Sequence, residues 1–272
     1  MKKRTLCTAA LLAVLGTSAL LPAGAYADDA TNVTSKGKIE YVEDKGKNDD
    51  KHPEKPDVIV KPPYVPNEAE GALKIDGVSD LDFKQQNAVL TDADYFAEQT
   101  QVSYTKDDKT VIEKVGNYLQ LTNKRIDNPT KWTLSAKMAQ QFKGVTSENV
   151  LENSTITFTN PFIESETNKT VSPWPELTAV ANGFVLGEDG ASVDILESKD
   201  VKGGFGTYTV AFGNTKDYFD RTQNGTSEDS TGVANQDGKI ENGSVSLMVP
   251  GRTVKTKEAY EAKILWTLTE KP

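Results

Sequence analysis

Few residues in this chain could do covalent chemistry, and their positions limit it further. His52 is the only histidine and Cys7 the only cysteine among 272 residues. His52 lies in a proline-marked polar stretch ahead of the strand-patterned sequence. A Ser-His-Asp or Cys-His arrangement, or a histidine zinc site, is therefore not expected in the folded region. The composition still permits a carboxylate pair of the kind glycosidases use, or a Ser-Lys dyad. Acidic residues are plentiful, with Asp76, Asp80 and Asp82 near the start of the patterned region and Asp217 and Asp220 before a polar loop. A solvated surface accounts for them without chemistry. The segments Asp76-Gly-Val-Ser-Asp80-Leu-Asp82 and Asn235-Gln-Asp237-Gly238 offer oxygen ligands for calcium, but neither has helix-loop-helix spacing. Turn formation by Asp and Asn explains both segments. No catalytic residue, metal or cofactor is expected.

Tryptophan remains the residue type with something to offer. Trp-Thr-Leu occurs twice, at Trp132-Thr133-Leu134 and at Trp266-Thr267-Leu268. The second copy stands in a longer frame in which Tyr260, Ala262, Ile264, Trp266 and Leu268 alternate with other residues, so a strand would carry all five on one face. Two readings are open for each motif. The row is core, because a buried Trp beside a Leu needs no function, or it is a contact stripe, because an indole face stacks on sugar rings and anchors protein interfaces. The candidate binding residues are Trp132, Leu134, Tyr260, Trp266 and Leu268. Trp174, between Pro173 and Pro175, is expected in an extended loop.

The elements that would position these residues are strands. Period-two alternation marks 115–122, 154–159, the set Tyr208, Val210 and Phe212, and the set Val245, Leu247 and Val249. Val249-Pro250-Gly251-Arg252 reads as a turn leading to a hairpin or arch. Only 92–99 and 136–142 suggest helix, and both are short. Residues 70–272 thus read as an all-β domain, one sandwich or two closely packed β lobes, with the two Trp-Thr-Leu segments on adjacent lobes or opposing sheets. Residues 28–69 hold Pro53, Pro56, Pro62, Pro63 and Pro66 among scattered apolar residues and read as a disordered to polyproline-II spacer. Met1-Lys2-Lys3-Arg4, the uncharged run to Ala27 and the Ala25-Tyr-Ala27 pattern read as a signal peptide over 1–27, cleaved after Ala27. No membrane insertion is expected after cleavage, and no sortase-type sequence for covalent attachment is present.

Loss of Lys2, Lys3 and Arg4 leaves 28 basic residues of the original 31 against 40 acidic ones, a formal charge of −12. That balance argues against nucleic acid and against bulk attraction to anionic teichoic acid, and favours a neutral glycan, a peptide or a partner protein. The frame from Tyr260 to Pro272, with Trp132-Thr-Leu134 upstream, resembles the motif pair of the WxL-domain family of Gram-positive surface proteins, over roughly 70–272. Ile264 is an aliphatic substitute in that frame, and Glu270-Lys271 replaces the small residues often found before the last Pro. The resemblance implies a secreted, non-catalytic cell-surface protein held non-covalently at the wall. The attachment would be through peptidoglycan, or through a WxL-interacting surface protein in a complex with other WxL proteins. The alternatives are an adhesin for host matrix or plant glycan that uses this region as its anchor, and a glycan-cleaving enzyme.

Overall fold

The computed structural model describes residues 35–61, 63–127, 129–178, 182–222, 230–231, 233–234 and 240–271. The chain divides into two units, 1–41 and 42–272. In the first, residues 35–41 carry no regular secondary structure and are exposed. The second is almost entirely β. Its strands in chain order are β1 (Lys51–His52), β2 (Lys55–Ile59), β3 (Leu73–Val78), β4 (Ala93–Ala97), β5 (Thr100–Lys106), β6 (Lys109–Val115), β7 (Asn117–Asn123), β8 (Lys131–Gly144) and β9 (Thr155–Phe158). There follow β10 (Pro161–Glu164), β11 (Glu176–Leu177), β12 (Phe184–Leu186), β13 (Val193–Ser198), β14 (Gly206–Phe212), helix α1 (Lys216–Thr222), β15 (Val233–Ala234), β16 (Ile240–Val249) and β17 (Tyr260–Lys271).

Three antiparallel sheets turn their apolar faces to one core. Their orders are β10-β14-β7-β3, β11-β13-β8-β17 and β12-β9-β16-β15, with β4 also pairing β16. The period-two alternation makes this core. Leu119 and Leu121 of β7, Tyr208, Val210 and Phe212 of β14, and Val245, Leu247 and Val249 of β16 all point into it. The turn after β16 leads to a different sheet, so it is an arch, with Thr253 N–H donating to Pro250 O at 3.1 Å. The two segments that suggested helix, 92–99 and 136–142, lie in β4 and β8. Pairing with flanking strands overrides the helix propensity of their Ala, Met and Gln residues.

Every position of β7 is buried, because its sheet is covered on both faces. On the outer face, Tyr118, Phe162, Ala211 and Tyr218 form a second core with Val60, Tyr64, Val102 and Val115. This second core, which holds Val58, Val60 and Tyr64, corrects the spacer expectation for residues 48–61 and 63–64. Those residues lie across that sheet. Asn48 Nδ2 donates to Asp76 at 2.7 Å, Lys51 N–H to Gln120 Oε1 at 2.7 Å, and Tyr64 O–H to Asp50 at 2.8 Å. Pro53 sits in the turn between β1 and β2, where it breaks no ladder bond. Helix α1 has its own local logic. Thr215 caps it through Tyr218 N–H at 3.2 Å, and Lys216–Asp220 and Asp217–Arg221 pair along it.

Candidate functional site

The two Trp-Thr-Leu segments are neighbours. β8 and β17 pair antiparallel in one sheet, with Leu134 opposite Leu268, Ala136 opposite Trp266 and Trp132 opposite Glu270. This replaces the expected placement on adjacent lobes or opposing sheets. The small side chain of Ala136 leaves room for the Trp266 indole on the shared face. Irregularities in the register fall at Glu261, Lys263 and Ile264, where the partner numbers on β8 jump from 138 to 140 and then to 143. The extra residues therefore bulge out of β8, and β17 stays regular.

The five candidate residues divide by burial. Trp132 and Leu134 are fully enclosed, at 0% exposure, while Tyr260, Trp266 and Leu268 are half-buried against the same core. β17 is an edge strand, so its inward row is covered from one side only. Gly204, at φ +66°, lies so close to Trp132 that a Cβ there would come within 3.0 Å of the ring. Trp132 Nε1–H is buried and has no hydrogen-bond partner among the described residues. Trp266 caps an aromatic cluster, 5.9 Å from Phe158 in edge contact and 6.2 Å from Phe212. Beside it lies a crevice of about 20 Å³, lined by Val78, Leu81, Ile264 and Trp266 among others, far too small for a sugar ring. The Trp132 ring is closed to a ligand, whereas the Trp266 ring is half-buried.

Tyr260 is held at the start of β17 by polar contacts. Its oxygen accepts from Thr256 N–H at 2.8 Å and from Asn149 Nδ2 at 3.4 Å. Burial alone would raise its pKa, but these bonds outweigh it and lower the value. Glu258 takes hydrogen bonds from the Ser147 and Thr256 hydroxyls and from the backbone N–H groups of Ser147 and Thr146, which hold its carboxyl down at about 2. The β8–β9 turn is thereby tied to the approach to β17.

An open concavity lies elsewhere, a cleft of about 290 Å³ lined by Asp80, Asp82, Glu98, Gln99, Gln101 and Lys114 among others. Lys84 pairs with both Asp82 and Glu98 at its rim. Amides, carboxylates and one ammonium suit a neutral ligand rich in hydroxyls and amides better than a polyanion. Asp76 does not join Asp80 and Asp82. It is buried and accepts from Gln120 at 3.0 Å and Thr122 at 2.6 Å. Asp217 and Asp220 are engaged by Arg221 and Lys216 on α1. Among the described residues, no group of three or more His, Cys, Asp and Glu side chains is placed to hold a metal ion. The segment from Asn235 to Gly238 lies outside the described residues.

His52 belongs to the folded unit, contrary to its expected place in a spacer, and is fully buried. Its Nδ1 accepts from Glu54 N–H at 3.1 Å, so the ring is the tautomer whose Nε2–H donates to Glu113 at 3.0 Å. Burial lowers its pKa, with Glu113 opposing that effect. Burial would raise the pKa of Glu113, but hydrogen bonds from Lys55, Tyr104 and His52 win and hold it at about 2. With both nitrogens occupied, the ring pins the β1–β2 turn to β6. Trp174 sits in the extended loop its prolines suggested. Its Nε1–H donates to Thr167 O at 2.6 Å, and Lys169 Nζ lies 4.0 Å over the ring.

Two Trp-Thr-Leu segments paired in one sheet of an all-β domain define a class, and the chain belongs to the WxL family. The family model, described as "WxL domain surface cell wall-binding", matches residues 28–272. The match begins at residue 28, ahead of β1 and β2. It places the protein among cell-surface, wall-binding proteins. No curated protein and no solved structure matches the chain. Among the described residues, no helix is long and apolar enough to cross a membrane.

Proposed function

We propose that the protein is exported by cleavage after Ala27 and attaches non-covalently and without catalysis to the Gram-positive wall, through peptidoglycan or a WxL-interacting surface protein in a multi-protein complex. The observation that carries this reading is that the wall-binding family model covers the whole of the unit 42–272. Because Trp132 and Leu134 are enclosed, the motif pair serves as the seam that fixes β17 to β8, and contact with the wall falls to exposed surface. The polar cleft beside Asp80 and Glu98 is the part of that surface best suited to a neutral sugar or peptide. The mature charge of −12 supports the same preference over teichoic acid.

The test is co-sedimentation with purified wall before and after teichoic acid is stripped. Equal binding to both, release by urea without wall digestion, and no solubilised glycan are the expected results. Binding that disappears with the teichoic acid would overturn the choice of ligand. Breakdown of the wall would favour the enzyme instead.

A further inference from the structure

β17 presents an open edge. It closes the sheet β11-β13-β8-β17, and among the described residues no strand pairs with its far side. Its twelve residues contain no proline or glycine and alternate from Tyr260 to Thr269, with Glu261, Lys263, Leu265, Thr267, Thr269 and Lys271 exposed and Glu270 exposed as well. Leu265 is 48% exposed. Between the charges lies Ile264-Leu-Trp266-Thr-Leu268-Thr269, an uncharged run of high β-propensity. Such a run on an unbroken edge is a template for a further strand. Charge and bulges usually blunt edges of this kind, but here the bulges fall on β8 and leave β17 straight.

The charges specify which strand fits. In an antiparallel pair of two β17 strands, the inward rows stay on one side of the joined sheet only when the two residue numbers facing each other have an even sum. Among these registers, the one centred on Trp266 uses nearly the whole strand and sets Glu261 opposite Lys271 at both ends. It also places Leu265 against Thr267 and Ile264 against Leu268. A shift that centres the pair on Thr267 sets Lys263 against Lys271, and a shift to Leu265 gives no opposed charges. Parallel pairing in register sets every charge against its like. Lys271 is 3.8 Å from Asp194 and Glu270 is 3.1 Å from Arg125, contacts at exposed carboxylates that leave the outer edge of the backbone open.

We infer that β17 joins to β17 of a second copy about a two-fold axis at Trp266, making one continuous eight-stranded sheet across a symmetric dimer. The contact also adds cover to the half-buried inward row of β17, which β3 flanks in the monomer. This interface is independent of which wall ligand the protein takes.

Sedimentation velocity on the purified secreted protein, over a range of concentrations, tests it. The expected result is a dimer. Glu261→Lys and Lys271→Glu, each at exposed positions, should each weaken it about tenfold, because the symmetry turns both end pairs from attractive to repulsive. The double variant E261K/K271E should restore the dimer. An equimolar mixture of the two single variants should associate more tightly than either alone, since every facing pair then has opposite charges. A protein that stays monomeric at all concentrations would overturn the proposal. So would a dimer indifferent to these substitutions, or one not rescued by the double reversal. Circular dichroism on each variant keeps loss of folding separate from loss of pairing.

Discussion

Trp132→Ala separates the two roles that tryptophan could play in this family motif. The ring is fully enclosed, walled by Gly204 on one side and lying in the row with Leu134, Ala136 and Met138. Truncating such a side chain costs roughly 3–5 kcal/mol, which for a domain of this size lowers the melting temperature by about 6–20 °C. Trp132→Phe refines the estimate. It keeps most of the apolar volume and removes an indole N–H that is buried without a partner, a group whose desolvation costs about 1–3 kcal/mol. The phenylalanine variant should therefore lose only about 1–2 kcal/mol. The assay is thermal unfolding followed by circular dichroism, paired with wall co-sedimentation at a temperature where each variant is still folded. Both variants should bind the wall normally under that condition. A Trp132→Ala protein with an unchanged melting transition and no wall binding would refute the reasoning, because the ring would then be the contact itself.

Trp266→Ala, on the half-covered row of an edge strand, should cost less than Trp132→Ala, about 2–3 kcal/mol in the same melt; a larger loss would mean that β17 is more enclosed than its edge position implies. Gly204→Ala puts a Cβ 3.0 Å from the Trp132 ring at a φ of +66°, and denaturant unfolding should give a loss of about 1–3 kcal/mol that a Gly187→Ala control, with only ordinary contacts, does not share. Removing residues 28–41 should leave the melting temperature where it is. Removal through Tyr64 strips Val60 and Tyr64 from the second core and should lower it by about ten degrees or more, and a truncated protein as stable as the parent would contradict the described packing. The pKa of His52 is depressed below its ordinary 6.5, so the unfolded chain takes up the proton more readily; the stability it gives is complete above that value and declines as pH falls below it, while Glu113, held at about 2, remains ionised. The stability advantage of the parent over His52→Gln should shrink between pH 7 and pH 5, and an advantage constant over that range would count against the buried neutral ring.

Alternation along β7, β9, β14 and β16 was legible because one face of each meets the core, and a period of two reports that directly. The same signal says which side of β17 faces inward but not whether anything lies over it. That is why Trp132 and Trp266 could not be told apart from their spacing: one sits mid-sheet and the other on the rim. Pairing of β8 with β17 was hidden because the partners are far apart along the chain and nothing local fixes their register. The segment from Asn48 to Tyr64 misled for another reason. Counting apolar residues finds too few to bury, whereas this stretch is held largely by hydrogen bonds of Asn48, Asp50, His52 and Glu54, which hydrophobicity does not register. Helix α1 is only seven residues long with Tyr218 as its only buried residue, too brief for a 3.6-residue repeat to emerge.

The register that sets Leu134 against Leu268 also governs when this protein can fold. Its partners are separated by on the order of 130 residues, so the chain must close a very long loop before the seam rewards it, and topologies of this kind fold slowly. Until Tyr260 to Lys271 have been synthesised and have crossed the membrane, β8 lacks its neighbour and the main core stays open along one flank. The seam between the two motifs therefore closes late in folding, and a copy lacking β17 would leave β8 unpaired on one side and its core open to proteases.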